Sequence, residues 1–383
     1  MSKKQEIQKG KGPMEASVYK KRITRFRKRI KNEGVDCAWI VQPENRRYLS
    51  GFRAADLQLT ESSGSLVINE HASLLLTDSR YTEEASREAV GFRVKMVQNG
   101  IVEGLIDLLP ELGIRRLGFE KDYISWGLHQ ELKKRLNNLS PPIELVPLEG
   151  IVEEMRERKD AGESDALQAS AKLLCSVMEE IIAYLEPGRS EREIAWKVEE
   201  FARAVGADEL AFPSIVASGP NSALPHAVPT ERRLAQGEPI ILDLGVRLNG
   251  YCSDMTRTVF LGTPSPSFVK IYQTVREAQA AALKEIRPGM DTSFVDGIAR
   301  DLIKKEGFGD YFGHGLGHGV GLAIHEGPRL GPKKPSLLKE GMVVTVEPGI
   351  YIPGKGGVRL EEMVLLTEGG ARILTSAPPL YDW

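Results

Sequence analysis

The chain has 383 residues, 41% of them hydrophobic and 27% charged, with a formal net charge of −2. That length exceeds one small core and predicts two domains. The near-zero charge offers no global field for nucleic acid, and no apolar run approaches the ~20 residues that span a bilayer.

Residues 1–15 are polar and lysine-rich without an apolar centre, which predicts a disordered basic tail rather than a secretory signal. From 18 to 32, Ile23, Phe26 and Ile30 recur at helical spacing among basic residues, an amphipathic helix with a solvated charged face. Residues 36–41 form a short apolar run ended by Gln42-Pro43-Glu44-Asn45, a buried strand followed by a turn. Strands are expected at 65–69, 72–77, 92–97 and 116–119, and helices at 81–88, 101–109 and 126–136. This alternation predicts an α/β domain over 16–150 with a mixed sheet. Nothing in it clusters chemical groups, and His71 and His129 read as structural or surface residues. Asn138-Leu-Ser-Pro-Pro142 breaks the pattern, and a second domain is expected over 155–383. It opens with a long helix at 164–185, with Ser164 as N-cap, and a second at 190–205, where Ser190 and Glu193 form a capping box. Cys37, Cys175 and Cys252 show no CxxC spacing, so neither a zinc knuckle nor a disulfide framework is expected. A reducing cytoplasm is the expected compartment.

The chemistry concentrates in the second half. Residues 312–322 read FGHGLGHGVGL, followed by AIHEGPR, and hold His314, His318 and His325, three of the six histidines. Glycine at that density marks backbone that something approaches closely. If the stretch is extended, His314 and His318 share a face and His325 points to the other. Carboxylates give these imidazoles meaning. Asp243 lies within the apolar run Pro239-Ile-Ile-Leu-Asp-Leu, where an acid is expensive to bury unless it is paired or bound to a metal. Asn249-Gly250 then predicts a hairpin that sets Asp243 opposite Thr256, with Asp254 as its diagonal neighbour. Two like charges that close repel unless something cationic lies between them. Glu347 ends the apolar strand that begins at Met342, and Glu361 is expected inside another strand, between Leu360 and Val364. Asp243, Asp254, His318, Glu347 and Glu361 are five hard, mostly oxygen ligands with one imidazole. They suit two small divalent cations such as Mn²⁺, Co²⁺, Fe²⁺ or Zn²⁺.

The motifs ILDLG, SDMTRT, HGLGHGVGL with IHE, TVEPGIY and GVRLEE, in this order, resemble those of the pita-bread metallopeptidases. This group contains Xaa-Pro aminopeptidases, prolidases and methionine aminopeptidases, with creatinase as a relative that dispenses with metal. NRRYLSGF at 45–52 and LLLTDSRYTEEA at 74–85 extend the resemblance to the N-terminal domain of the proline-specific branch. The resemblance implies an α+β protein, a C-terminal pita-bread catalytic domain preceded by a creatinase-like α/β domain. It carries the family's five ligands for two divalent ions, Mn²⁺ first among them, onto Asp243, Asp254, His318, Glu347 and Glu361. It also implies that Glu347 serves as ligand and general base, and that His226 and His325 act in catalysis and substrate binding. His314 would bind substrate, and Arg329 would hold a substrate carboxylate. The expected activity is that of an Xaa-Pro aminopeptidase, with an Xaa-Pro dipeptidase as the alternative. A methionine-aminopeptidase-like enzyme and a catalytically silent binding protein rank lower. Expected partners are proline-containing peptides and a second copy in a homodimer, with no nucleic acid or membrane.

Overall fold

The computed structural model describes residues 16–56, 58, 61–378, 380 and 381, so the expected basic tail at 1–15 lies outside the described residues. Arg156 is the last residue of one compact unit and Glu157 the first of the next.

The first unit is built on a six-stranded mixed sheet. Its spatial order is Arg93–Met96, Ser73–Thr77, Ser65–Asn69, Cys37–Ile40, Arg116–Glu120 and Glu144–Leu148. The basic helix Ala16–Asn32 buries Ile23, Phe26 and Ile30, as its spacing predicts. Two local expectations fail. Residues 42–45 are not a turn, because Pro43 opens the helix Pro43–Ser50. Proline fits that first helical position, where its missing N–H would have no partner anyway. The strand Glu144–Leu148 escaped the sequence reading because Pro147 interrupts its pattern. It is tolerated because this strand forms the edge of the sheet.

The second unit opens with the helix Ala161–Tyr184. Asp160, not Ser164, caps it, in a capping box completed by Glu163. The helix Glu191–Ala204 carries the expected box of Ser190 and Glu193. Both helices bury one apolar face against the strands Ile215–Ser218, Pro239–Leu244 and Met255–Phe260, through Leu174, Val177, Ile194, Val198, Ile240 and Leu242. A five-stranded antiparallel sheet follows, ordered Glu326–Leu330, Gly317–Gly319, Val343–Val346, Glu362–Thr367 and Gly370–Ile373. The helices Pro266–Glu285 and Thr292–Lys305 share its core through Tyr272, Val275, Ala299 and Ile303. The candidate ligands expected from sequence are carried by these strands and by the breaks between them. Among the described residues, no helix is long and apolar enough to cross a membrane.

Candidate metal centre

Hairpin geometry places the first two acids. Leu248 pairs with Tyr251, while Asn249 and Gly250 take positive φ values of 49° and 77°. This is the backbone that a two-residue Asn-Gly turn requires. The register then carries through, and Asp243 lies opposite Thr256 as expected. Asp254 sits just before the return strand Met255–Phe260 and is 4% exposed.

Glu361 departs from expectation. It lies in the break between the strands Gly356–Arg359 and Glu362–Thr367 rather than inside one. Its backbone N–H donates to Thr256 O, and its Oε2 accepts from Thr256 Oγ1 at 2.8 Å. Arg257, buried beside it, donates to the carbonyls of Thr256 and Glu361. One residue of the Asp243 hairpin and its neighbour thus fix both the backbone and the carboxylate of Glu361.

The histidine-rich stretch is not extended along its length, which overturns the expected division of its faces. Only Gly317–Gly319 is strand, its register shifts between His318 and Gly319, and residues 321–325 bend back. The His318 and His325 rings therefore meet edge to face, with centroids 4.4 Å apart. His314 faces elsewhere, against Tyr351. The glycines around His318 have a steric cause. A Cβ at Gly317 would come 2.0 Å from Thr345 O, and one at Gly319 2.0 Å from Gly327 O. A buried ion pair, Lys159 with Glu326 at 2.8 Å, anchors the residue after His325.

Asp254, His318 and Glu361 present ligand atoms within 4.8 Å of one another, and no other group of three acids, histidines or cysteines does so among the described residues. Glu347 adjoins them, its Oε1 3.4 Å from His318 Nε2, while Asp254 Oδ2 is 3.6 Å from the same nitrogen. Asp243 is turned towards Arg359, whose Nη2 donates to Oδ2 at 2.7 Å. The other oxygen, Oδ1, is buried without a hydrogen-bond partner.

The electrostatics show what such a cluster requires. Burial, then Asp243 and Glu347, push the Asp254 carboxyl well above its usual range, against a smaller opposing effect of Arg359. Burial, then Asp254, Glu347 and Asp243, do the same to Glu361. Burial raises Glu347 to about 7, with Arg359 opposing. The cause is the same for all three carboxyls: negative charge brought together out of water. His318 is lowered to about 4, chiefly by burial and then by His325, so its ring is neutral. Its Nδ1 lies 3.1 Å from Gly319 O, an oxygen that only accepts, so Nδ1 carries the hydrogen. The Nε2 lone pair then faces two carboxylate oxygens. Lone pairs aimed at one another are stable with a cation between them, and a second-sphere carbonyl on the far nitrogen is the usual support of a metal-ligating imidazole. The orphaned Asp243 Oδ1, the His318 tautomer and the oxygen-rich donor set all fit divalent metal.

Two residues that the sequence reading did not single out bind the centre to His314. Arg359 is buried, and its Nη1 donates to Tyr351 Oη at 2.8 Å while Nε donates to Thr256 Oγ1. Burial acts to discharge this guanidinium, but Tyr351, Asp243 and Glu347 outweigh it and hold its pKa well above the usual value. Tyr351 Oη in turn meets His314 Nε2 at 2.8 Å, and His314 Nδ1 lies 2.8 Å from Gly315 O. Nδ1 therefore carries the hydrogen and Nε2 accepts from the tyrosine. Burial lowers His314 to about 4 and keeps it neutral. Both of its ring nitrogens are therefore engaged within the protein. The signal for Arg359 was present in GVRLEE: a charged residue in an apolar strand needs partners as much as Asp243 does.

His325 and Arg329 adjoin this centre, and His226 lies near enough to bear electrostatically on His325 and His314. Burial lowers the pKa of His325, and Arg329 and His226 lower it further; His226 also lowers that of His314. Arg329 is directly opposite His318 in the antiparallel pair of Gly317–Gly319 with Glu326–Leu330, so their side chains leave the same face. The structure therefore gathers Asp254, His318, Glu347 and Glu361, with His325 against His318, Arg329 opposite it, Asp243 turned to Arg359 and His314 set back behind Tyr351.

A buried cluster of acids around a neutral imidazole is a donor set that suits a divalent-metal hydrolase. Residues 165–368 match the model of metallopeptidase family M24, and residues 22–158 match the creatinase/prolidase N-terminal domain. The chain belongs to this family and is a metallo-exopeptidase with the pita-bread fold. It is 36% identical over 357 residues to the Xaa-Pro dipeptidase of Pyrococcus furiosus, which covers 93% of this chain and 98% of that one. Among solved structures it resembles an Xaa-Pro dipeptidase from Bacillus anthracis, with 37% identity, a TM-score of 0.88 and coverage of 94% and 99%. It also resembles an X-Pro aminopeptidase from Thermotoga maritima, with 36% identity, a TM-score of 0.81 and coverage of 91% and 98%. The prolidase side of the family is the better supported, against the aminopeptidase reading favoured from sequence.

Proposed function

We infer that this protein is an Xaa-Pro dipeptidase whose substrate carboxylate is held by Arg329. The observation that carries this reading is the placement of that guanidinium. It stands opposite His318 and beside His325, and among the described residues no carboxylate pairs with it. A planar fork left unpaired at a peptidase centre suits the free carboxylate of a dipeptide, which it can grip bidentately. The names of the Pyrococcus and Bacillus relatives support the same choice.

Asp243, Asp254, His318, Glu347 and Glu361 are the residues that would hold two divalent ions, Mn²⁺ being the first to try. When bound, such ions supply a water acidic enough to act at neutral pH. The chain's own groups do the rest. Glu347 Oε takes the proton of the attacking water and passes it to the departing proline nitrogen. His325 and His226 hold the oxyanion that develops on the scissile carbonyl. Thr345 Oγ1, donating to Glu347 Oε1 at 3.1 Å, orients the base. His314 holds Tyr351 and, through it, Arg359.

The test is a comparison of kcat/KM for an Xaa-Pro dipeptide and the matching Xaa-Pro-Yaa tripeptide. The dipeptide is expected to be preferred. A clear tripeptide preference would restore the aminopeptidase reading.

A further inference from the structure

We propose that Glu191 is a positioning residue that fixes the loop presenting His226, by binding both ends of that loop with one buried carboxylate. This rests on the role given above to His226.

Glu191 is the first residue of the helix Glu191–Ala204 and is 0% exposed. Each of its oxygens serves a different end of the loop. Oε1 accepts from Ser218 N at 2.7 Å and Ser218 Oγ at 2.8 Å, where the strand Ile215–Ser218 ends. Oε2 accepts from Thr230 N at 3.0 Å and Thr230 Oγ1 at 2.6 Å, where the loop returns. Asn221 Nδ2 bridges the two oxygens at 3.1 and 3.0 Å. The helix start reinforces the far end, since Glu191 N and Arg192 N donate to the carbonyls of Arg232 and Thr230. A compact surface loop with its ends held together is a functional design in its own right.

Between these ends the chain has little of its own to hold it near His226. Ser222 is buried and its Oγ accepts from Gly357 N at 2.8 Å, but beyond it Leu224 and Val228 are 57% and 78% exposed, His226 is exposed between them, and within 223–229 only Ala227 turns inward. The placement of His226 therefore depends on where the loop is tied. A carboxylate suits this task because it is acceptor-only, with enough lone pairs for both sets of donors. Its amide isostere cannot replace it. Glu191→Gln puts an NH2 group where one oxygen was, and so sets a donor against the donors of Ser218 or of Thr230. One end of the loop is cut loose while volume is conserved.

The experiment combines local exchange with a double-variant comparison. In Glu191→Gln holoprotein, backbone amides in 219–229 are expected to exchange faster by hydrogen–deuterium mass spectrometry, with bound metal unchanged. On an Xaa-Pro dipeptide, kcat/KM is expected to fall on the order of 100-fold, the scale of a ~1 Å misplacement of a reacting group. Adding His226→Ala to Glu191→Gln should lower it no further than His226→Ala alone, because one residue acts through the other. Thr230→Val, which removes one of the donors to Glu191 together with the acceptor that Thr230 Oγ1 offers to Arg232 N and Asn221 Nδ2, should move both readouts in the same direction by less, and it decides the matter if Glu191→Gln does not fold. Unchanged exchange at 219–229, or losses that multiply in the double variant, would overturn the proposal. Wild-type activity in His226→Ala would count against the role of His226 instead, and the exchange result would still decide whether Glu191 is the clamp.

Discussion

Glu347→Gln is expected to lower kcat by about 10²–10⁴-fold at saturating divalent metal, the range over which positioned general bases act. The substitution conserves shape, and the amide oxygen can still accept from Thr345 Oγ1 as the carboxylate does. What disappears is the charge and the ability to take a proton 3.4 Å from His318 Nε2. Metal affinity should weaken too, so the assay must be run across a metal titration, with kcat read at the plateau. Activity within a few-fold of wild type at that plateau would remove Glu347 from its role as base.

Arg329→Met should separate the two substrate classes. For an Xaa-Pro dipeptide, kcat/KM is expected to fall about ten- to a hundredfold, the worth of charge-assisted hydrogen bonds at roughly 1.5–3 kcal/mol. For the matching tripeptide, whose carboxylate lies one residue further on, the change should be small. The side chain is exposed, and among the described residues it pairs with no acid, so its removal leaves no buried group unsatisfied. An equal loss on both substrates would show that Arg329 holds the peptide by some other group, and the dipeptidase reading would lose its main support.

The features most legible in sequence were those set by local backbone chemistry. Asn249-Gly250 fixed a register that placed Asp243 opposite Thr256, and Ser190 with Glu193 announced a helix start. An acid inside an apolar run flagged Asp243, and the same argument applied to Arg359 would have found the chain that leads through Tyr351 to His314. Less legible was anything decided by non-local contact. The division of faces among His314, His318 and His325 failed because a register shift and a reversal at 321–325 intervene, which alternation in a single strand does not foresee. Ser164 lost the helix start to Asp160 because Glu163 completes a capping box one turn earlier. Glu191 gave no sign at all. It reads as an acid in the first turn of a helix, a common and stabilising place for one, and only the folded chain brings Ser218 and Thr230 to its two oxygens.

The claim beneath all of this is that five side chains, scattered from Asp243 to Glu361, form one cage for two cations. The most direct measurement is the metal content of the protein after loading with Mn²⁺ and exhaustive dialysis, read by elemental analysis beside hydrolysis of an Xaa-Pro dipeptide by the same sample. Two ions per chain are predicted, with hydrolysis lost on chelation and regained as metal is returned. Full cleavage by protein that retains no metal would contradict the account.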